Sequence, residues 1–525
     1  MQELWSIVLL LPVGALLAAV LLPASTTVAA RRRWRRGITG LVGLQALLAG
    51  GLGIGLATGW LPPLTVTLWS WGQAGLLELS VLYDGVSCLM FAMVSFVGWV
   101  ICRFSVRYLD GEPTQAHYYR RVGWTIGAVS LMVLAGNLLL FLLAWVMTSW
   151  GLHRLLLHYA DRPAAQRAAW TKFTISRLGD AALVAATILI YRQFGTLDFT
   201  ALFAALPTSA DGANAGMQWA AGLLVLGAAT KSAQVPFHTW LPQTLETPTP
   251  VSALMHAGIV NAGGFLVIRT SPLLALNAGA LVVLAVVGGT TACFGAAVML
   301  TQTSVKKSLA YSTVAQMGFM MLQCGLGAFS AAMLHIVAHS LYKAYAFLSS
   351  GSLLAQAAAT QGAASPAGRF SGGRALFWAV STVGFLAGLL IACGVDPTSK
   401  PGGFLLGGIL ALALTSWLEQ VAATGDRVLL GRAVAVAGLL SGVYVASYLG
   451  VDRLIGASVP QRPLGGWEVG VSAVFFVAFL GLFLLPLKWA AGPPSRWLQA
   501  LYVHTSNGFY LEPALRRLFG PLASS

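Results

Sequence analysis

The stretch AAGLLVLGAATKSAQVPFHTWLPQTLETPTPVSALMH, from Ala220 to His256, decides the reading of the chain. It opens as an apolar run, Ala220–Ala229. It then meets Lys231, and Pro236, Pro242, Pro248 and Pro250 follow within twenty residues. A lysine at bilayer depth costs at least ~2.5 kcal/mol on insertion scales. Proline removes a backbone donor and breaks a helix. Together they form the pattern of a discontinuous transport helix, whose freed carbonyls and ammonium line a wet cavity. A buried lysine also shifts its proton affinity readily, which lets it load and release a proton. The plainer alternative is a lysine at a helix end, with its stem in hydrocarbon and its head in water.

Working outward, the solvent of the whole chain is lipid. Of 525 residues, 57% are hydrophobic and 9% are charged, against about one-quarter charged in a soluble domain. The apolar runs are about 20 residues long and lack period-two alternation, so helices are expected and a barrel is not. Their windows are 4–28, 37–59, 80–104, 121–136, 137–158, 173–193, 215–235, 249–270, 274–300, 306–326, 328–356, 374–395, 403–423, 429–450 and 467–488. The fold class is therefore an all-α polytopic membrane protein of about 14–15 spans. No long polar linker interrupts it, so residues 1–525 form one integral membrane domain.

Net charge is +15, yet no nucleic-acid partner follows. The bases fall between apolar runs and recur in alternate loops, as the positive-inside rule requires. Arg31–Arg36, Arg103/Arg107/Arg120/Arg121, Arg162/Arg167/Lys172, Lys306/Lys307 and Arg427/Arg432 all fall on one side, whereas loops 60–79 and 195–214 are nearly free of bases. The cluster Arg31–Arg36 follows the first apolar run, which suits a retained first helix with its N-terminus outside. Cys88, Cys102, Cys293, Cys324 and Cys393 are scattered and unpaired in sequence, so neither a disulfide framework nor a zinc knuckle is expected. No cofactor motif is present. Segment 495–520 is amphipathic and reads as interfacial.

The informative residues are the polar ones inside apolar windows. His335, His339 and Lys343 are spaced i, i+4, i+8, which stacks them on one helix face. Imidazoles pass protons near neutral pH. Zinc is the rival for His-x-x-x-His, but no glutamate follows His335 and no third ligand is evident. His256, within the eighth window, joins the path by its closeness in sequence to Lys231; a satisfied core histidine is the alternative. His238, among the prolines, is a candidate gate. Arg177 and Asp180 sit at i, i+3 and can pair, either as a structural ion pair or to tune Lys231. Asp84, Glu246 and Glu419 are lesser candidates.

These residues also carry a family pattern. The motifs are Lys231-Ser-Ala-Gln-Val-Pro-Phe-His-Thr-Trp-Leu-Pro, Lys306-Lys-Ser-Leu-Ala-Tyr-Ser-Thr-Val-Ala-Gln-Met-Gly and His339-Ser-Leu-Tyr-Lys343-Ala. The chain resembles the antiporter-like subunits of respiratory complex I over roughly residues 80–360, with an echo at Tyr502–Tyr510. The resemblance implies two inverted five-helix repeats, at 121–270 and 274–425, each with a broken helix and a buried lysine. N-terminal helices at 1–110 and a C-terminal part at 429–525 would flank them. It also implies a polar axis at mid-membrane.

The chain departs from that pattern at Val146, after Trp145, where complex I and Mrp-type relatives carry a glutamate. Nor does a clear later lysine follow Phe385, since Lys400 falls in a predicted loop. The stretch Trp145-Val-Met-Thr-Ser-Trp-Gly-Leu-His153-Arg154-Leu-Leu-Leu-His158 is instead similar to the DabB family of inorganic carbon uptake subunits. That likeness implies a DabA partner, a zinc protein similar to β-type carbonic anhydrases, in a hetero-complex at a bacterial inner membrane. The chain would conduct H+ or Na+ and be a transporter subunit with no cofactor of its own. His153 and Arg154 would couple to the partner, or simply anchor the interface. The alternative is an antiporter-like subunit of a respiratory NADH-quinone oxidoreductase or an Mrp-type Na+/H+ antiporter. A scaffold that conducts nothing is a third possibility.

Overall fold

Without water to bind its amides, an apolar run pairs its backbone internally and becomes a helix. The computed structural model describes residues 2–71, 77–207, 214–351, 371–396, 401–462, 465–490 and 495–519. Lys400 lies outside the described residues.

The chain begins with α1 (Gln2–Ala18) and α2 (Val28–Ala57), then a hairpin of β1 (Leu64–Trp71) and β2 (Leu77–Tyr83). Next come α3 (Gly85–Tyr108), α4 (Gln115–Leu134), α5 (Leu138–Leu156), α6 (Pro163–Phe194), the short α7 (Phe199–Ala204) and α8 (Ala215–Lys231). A broken span follows as α9 (Thr249–Ala257) and α10 (Ala262–Arg269). After the single turn α11 (Ser271–Leu274) come α12 (Ala278–Met299), α13 (Val305–Gly325) and α14 (Phe329–Leu348). The remainder is α15 (Gly372–Ala392), α16 (Pro401–Ala423), α17 (Arg427–Ile455), α18 (Gly466–Ala490), α19 (Arg496–Ser506) and α20 (Leu511–Phe519).

Among the described residues, eleven helical spans are long and apolar enough to cross a membrane. The remaining windows coincide with α4, α13 and α14, whose polar residues lower their hydropathy, and with α8, which ends after 17 residues. The chain is an all-α, multi-pass membrane protein. Its centre is the broken span Thr249–Arg269, every residue of which is buried, while of Gly466–Phe483 at the rim only Glu468 is.

Local chemistry sets the helix ends. Side chains of Asp84, Asn137, Asn214 and Asn277 accept from the free amides that open α3, α5, α8 and α12. Pro163 starts α6, and Gly195 closes it at φ 67°. Helix pairing rests on small residues, because lipid gives no hydrophobic drive between helices. A Cβ at Gly295 of α12 would come within 2.6 Å of the Ala315 amide nitrogen of α13, and Gly288, Gly318 and Gly325 face the opposing backbone as closely.

The reading by apolar runs did not anticipate the hairpin. Leu64 and Val66 are buried, while Thr65 and Thr67 are exposed, the period of a strand with one wet face. A window that sums hydropathy ignores that alternation, so 80–104 merged β2 with α3. The amphipathic tail also differs from a purely interfacial segment. Gln243 donates to Glu512 at 3.0 Å, and the Phe509 ring lies 6.0 Å from that of Phe294 on α12. The tail therefore docks on protein as well.

Candidate functional site

Helix α8 stops at Lys231 for a backbone reason. The Gln234 amide donates back to Ala229 at 3.0 Å while Ala233 adopts a left-handed φ of 50°. This is a six-to-one helix closure with alanine where glycine is usual. The Cβ there costs roughly 1 kcal/mol.

The ammonium at this break is buried and turned toward α5. Lys231 Nζ donates to Ser149 Oγ at 2.7 Å and to the Trp145 carbonyl at 3.2 Å. It also lies 4.4 Å from the centroid of the Trp145 ring, a cation–π contact strengthened by desolvation. Trp145 Nε1 donates to Asp180 Oδ1 at 3.0 Å, and Asp180 Oδ2 pairs with Arg177 at 2.6 Å. Asp180 therefore reaches Lys231 through an indole. Gly179 makes the approach possible, since a Cβ there would overlap the Thr230 hydroxyl.

Lys172 belongs to the same cluster. Its Nζ donates to the Ser149 carbonyl at 2.8 Å, and its side chain is enclosed. It is not the loop base that its place beside Arg162 and Arg167 suggests, but a buried residue of α6. Helix α6 begins at Pro163, ten residues before the predicted window start of 173, and carries Lys172 inward. The apolar window began late because Arg167 and Lys172 depress the hydropathy of that first stretch.

A second cluster lies beyond the broken span. Lys343 Nζ donates to Ser312 Oγ at 2.8 Å and to the Leu309 carbonyl at 3.1 Å. His256 Nδ1 shares a hydrogen bond with Thr313 Oγ1 at 3.0 Å, its ring stacked 4.3 Å from Phe347. His335 Nδ1 meets Gln323 Oε1 at 3.1 Å, and the rings of His335 and His339 are 6.1 Å apart. Neither nitrogen of His339 has a protein partner among the described residues, nor do His335 Nε2, Gln323 Nε2 and Asn261 Oδ1. All of these are buried. Among the described residues, no three His, Cys, Asp or Glu side chains converge as a metal shell.

The turn between α9 and α10 joins the clusters. Ser232 Oγ, beside Lys231, donates to the Val260 carbonyl at 2.6 Å. Asn261 Nδ2 donates to Ser340 Oγ at 2.8 Å, next to His339. The turn is thus hydrogen-bonded on one side to the neighbour of Lys231 and on the other to the neighbour of His339.

The other candidates lie apart. His238 is buried against Phe294 at 4.7 Å, and its Nδ1 has no partner among the described residues. No hydrogen bond among the described residues links it to Lys231 or His256. His153 is enclosed by Trp170, Phe173 and the Ala169 carbonyl. His153 therefore faces the inside of the bundle, between α5 and α6. Arg154 is exposed, over Trp150. Asp84 is clamped by Arg269 at 2.7 and 2.9 Å, Glu419 by Arg374, and Glu246 by Arg162. These are ion pairs outside the two clusters.

Sequence reasoning missed Ser149, Ser312, Thr313 and Gln323. Only Ser149 left a signal, since Trp145, Ser149 and His153 share one face of α5 at i, i+4, i+8.

Comparison with known proteins agrees with this architecture. Residues 135–400 match the family described as NADH:quinone oxidoreductase/Mrp antiporter, TM, and residues 71–119 match the complex I chain 5 N-terminus. The chain is 43% identical over 462 residues to the probable inorganic carbon transporter subunit DabB2 of Halothiobacillus neapolitanus, covering 85% of this chain and 80% of that one. It is 43% identical over 270 residues to the probable DabB subunit of Hydrogenovibrio crunogenus, 51% of this chain and 52% of that one. NADH-quinone oxidoreductase subunit L of Escherichia coli is 34% identical over 332 residues, 62% of this chain and 54% of that one. Among solved structures, the Mrp complex from Dietzia sp. shares the fold, with a TM-score of 0.64 at 22% identity. That match covers 98% of this chain and 60% of the Mrp chain.

Proposed function

Since the chain belongs to the NADH:quinone oxidoreductase/Mrp antiporter family of membrane proteins, in its DabB branch, we propose that it is the cation-conducting subunit of an inorganic carbon uptake complex in a bacterial inner membrane. Protons are the ion in this reading. Lys231, His256, His335, His339 and Lys343 carry them. Arg177 and Asp180 set the charge around Lys231 through Trp145. His238 gates the loop after the break. Residues 121–270 and 274–425 act as two antiporter-like repeats within one membrane domain.

The observation that carries the proposal is the placing of Lys231 and Lys343, two buried ammonium groups held by serine hydroxyls and carbonyls with no carboxylate hydrogen-bonded to either among the described residues. A cation kept that way in lipid is expensive for a merely structural role. The partnerless nitrogens of His335 and His339 support the same reading. Buried polar groups require partners, and a hydrated path supplies them.

The relatives' names add inorganic carbon transport, and the family resemblance adds the partner. A soluble zinc subunit of DabA type would bind this chain and hydrate CO2 to bicarbonate, driven by ion entry, with Arg154 on the coupling surface. The zinc chemistry would then be the partner's. In a host that needs this system, Lys231→Ala is expected to abolish growth in low CO2 while the complex still assembles. Normal growth of that strain would remove the relay. Kinship with subunit L favours a second reading, a subunit of a respiratory or Mrp-type complex. Purification would separate the two, because that reading requires several membrane subunits rather than one large zinc protein.

A further inference from the structure

We propose that Lys172 is a second proton carrier, exchanging its proton with Lys231 across Ser149; the inference rests on the cation-conducting reading above. Both lysines hold the same residue. Lys231 Nζ donates to the Ser149 hydroxyl at 2.7 Å, and Lys172 Nζ donates to the Ser149 carbonyl at 2.8 Å. Both side chains are buried. The one acidic residue of the cluster, Asp180, is already held by Arg177 and by the indole of Trp145.

The groups facing Lys172 are thus Ser149 and His153 from α5, Lys231 from α8, and Arg177 and Asp180 from its own helix. Arg177 and Asp180 neutralise each other, which leaves two amines and no free counter-charge. Two like charges sharing one serine oppose each other, so the pair binds its first proton far more readily than its second. A permanent donor to the Ser149 carbonyl would need no charge at all, and an amide would serve. A titratable amine there makes sense if its proton moves.

The step balances without any co-reactant. An N–H bond breaks on the Lys231 ammonium, and an N–H bond forms on the lone pair of the neutral Lys172 amine. The Ser149 hydroxyl or a single water carries the proton between them. The charge of the pair is unchanged. Lys172 also extends the path in a definite direction. It lies nearer than Lys231 to the basic end of α6, where Arg162 and Arg167 sit. His153 lies one turn beyond Ser149 on α5 and is bonded to the Ala169 carbonyl at 3.2 Å. Lys231, Lys172 and His153 therefore form a leg from mid-membrane to the basic face, and Lys172 is its middle station.

The test uses the whole complex in liposomes, with an entrapped pH indicator and an imposed proton gradient. Lys172→Gln keeps an N–H for the Ser149 carbonyl but cannot titrate, and flux should fall at least tenfold with assembly intact. Lys172→Arg keeps the charge but does not release its proton, and should be as slow. Lys172→His should restore part of the flux, with its optimum moved to lower pH. Wild-type flux and pH profile in the Gln or Arg variant would overturn the proposal. So would rescue by Arg but not by His, which marks a fixed cation. A Lys231→Ala complex serves as reference. If it is blocked while the Lys172 variants conduct normally, only the role of Lys172 is lost. If it conducts normally, the relay through Lys231 is lost, and the exchange with Lys172 is lost with it.

Discussion

At the residue scale, the buried charges fall into two classes. Asp84–Arg269, Asp180–Arg177 and Glu419–Arg374 are cations matched to carboxylates at 2.6–2.7 Å. Lys172, Lys231 and Lys343 are titratable amines matched to neutral oxygens. Breaking a buried ion pair strands a charge at about 3–5 kcal/mol, whereas replacing both partners by apolar groups is often nearly neutral. Arg269→Met should therefore destabilise the chain by roughly that amount, leaving Asp84 alone in the protein. The double variant Asp84→Asn, Arg269→Met should recover most of the loss. Thermal unfolding in detergent reads both. Equal melting temperatures for the single and double variants would show that the pair is not coupled.

At the element scale, broken helices bring polar side chains inward, and glycines set how closely the helices approach. The break after Lys231 is fixed by the closure at Ala233, and Gly263 of α10 fits against the last carbonyls of α8, where a Cβ would strike Ala228 and Ser232. The α12–α13 pair shows the same rule without a functional residue at its seam. Gly318→Leu should force α13 away from the Ala292 backbone, at a cost of 1–3 kcal/mol or more. The yield of monodisperse complex on size exclusion should drop sharply. Gly388→Leu on α15 is the control, since a Cβ there meets nothing within 4 Å. Similar losses for both would argue against close packing as the cause.

At the scale of the whole molecule, charge asymmetry orients the bundle. The arginines of Arg31–Arg36 open α2, and the hairpin follows its other end. One crossing separates them, so they face opposite sides. In a chain with the partly and fully exposed Cys293 and Cys393 replaced by serine, Ser70→Cys on the hairpin should react with an impermeant maleimide in intact spheroplasts. Arg33→Cys should react only in inverted vesicles. Labelling of both from one side would break the topology.

The sequence alone determined the solvent and the order of spans, because these depend on transfer free energy summed along the chain. It marked the break beside Lys231 by a charge and the prolines that follow, while the closure at Ala233 that makes the break came from the structure. It also exposed His256, His335, His339 and Lys343, since a polar residue in an apolar run is conspicuous at any depth. Tertiary structure decided which of these touch. The sharing of Ser149 by Lys231 and Lys172, the indole between Asp180 and Lys231, and the enclosure of His153 all depend on how α5, α6 and α8 face one another. Hydropathy carries no such information. It even hid Lys172, because a window average treats a charge facing protein as it treats a charge facing water.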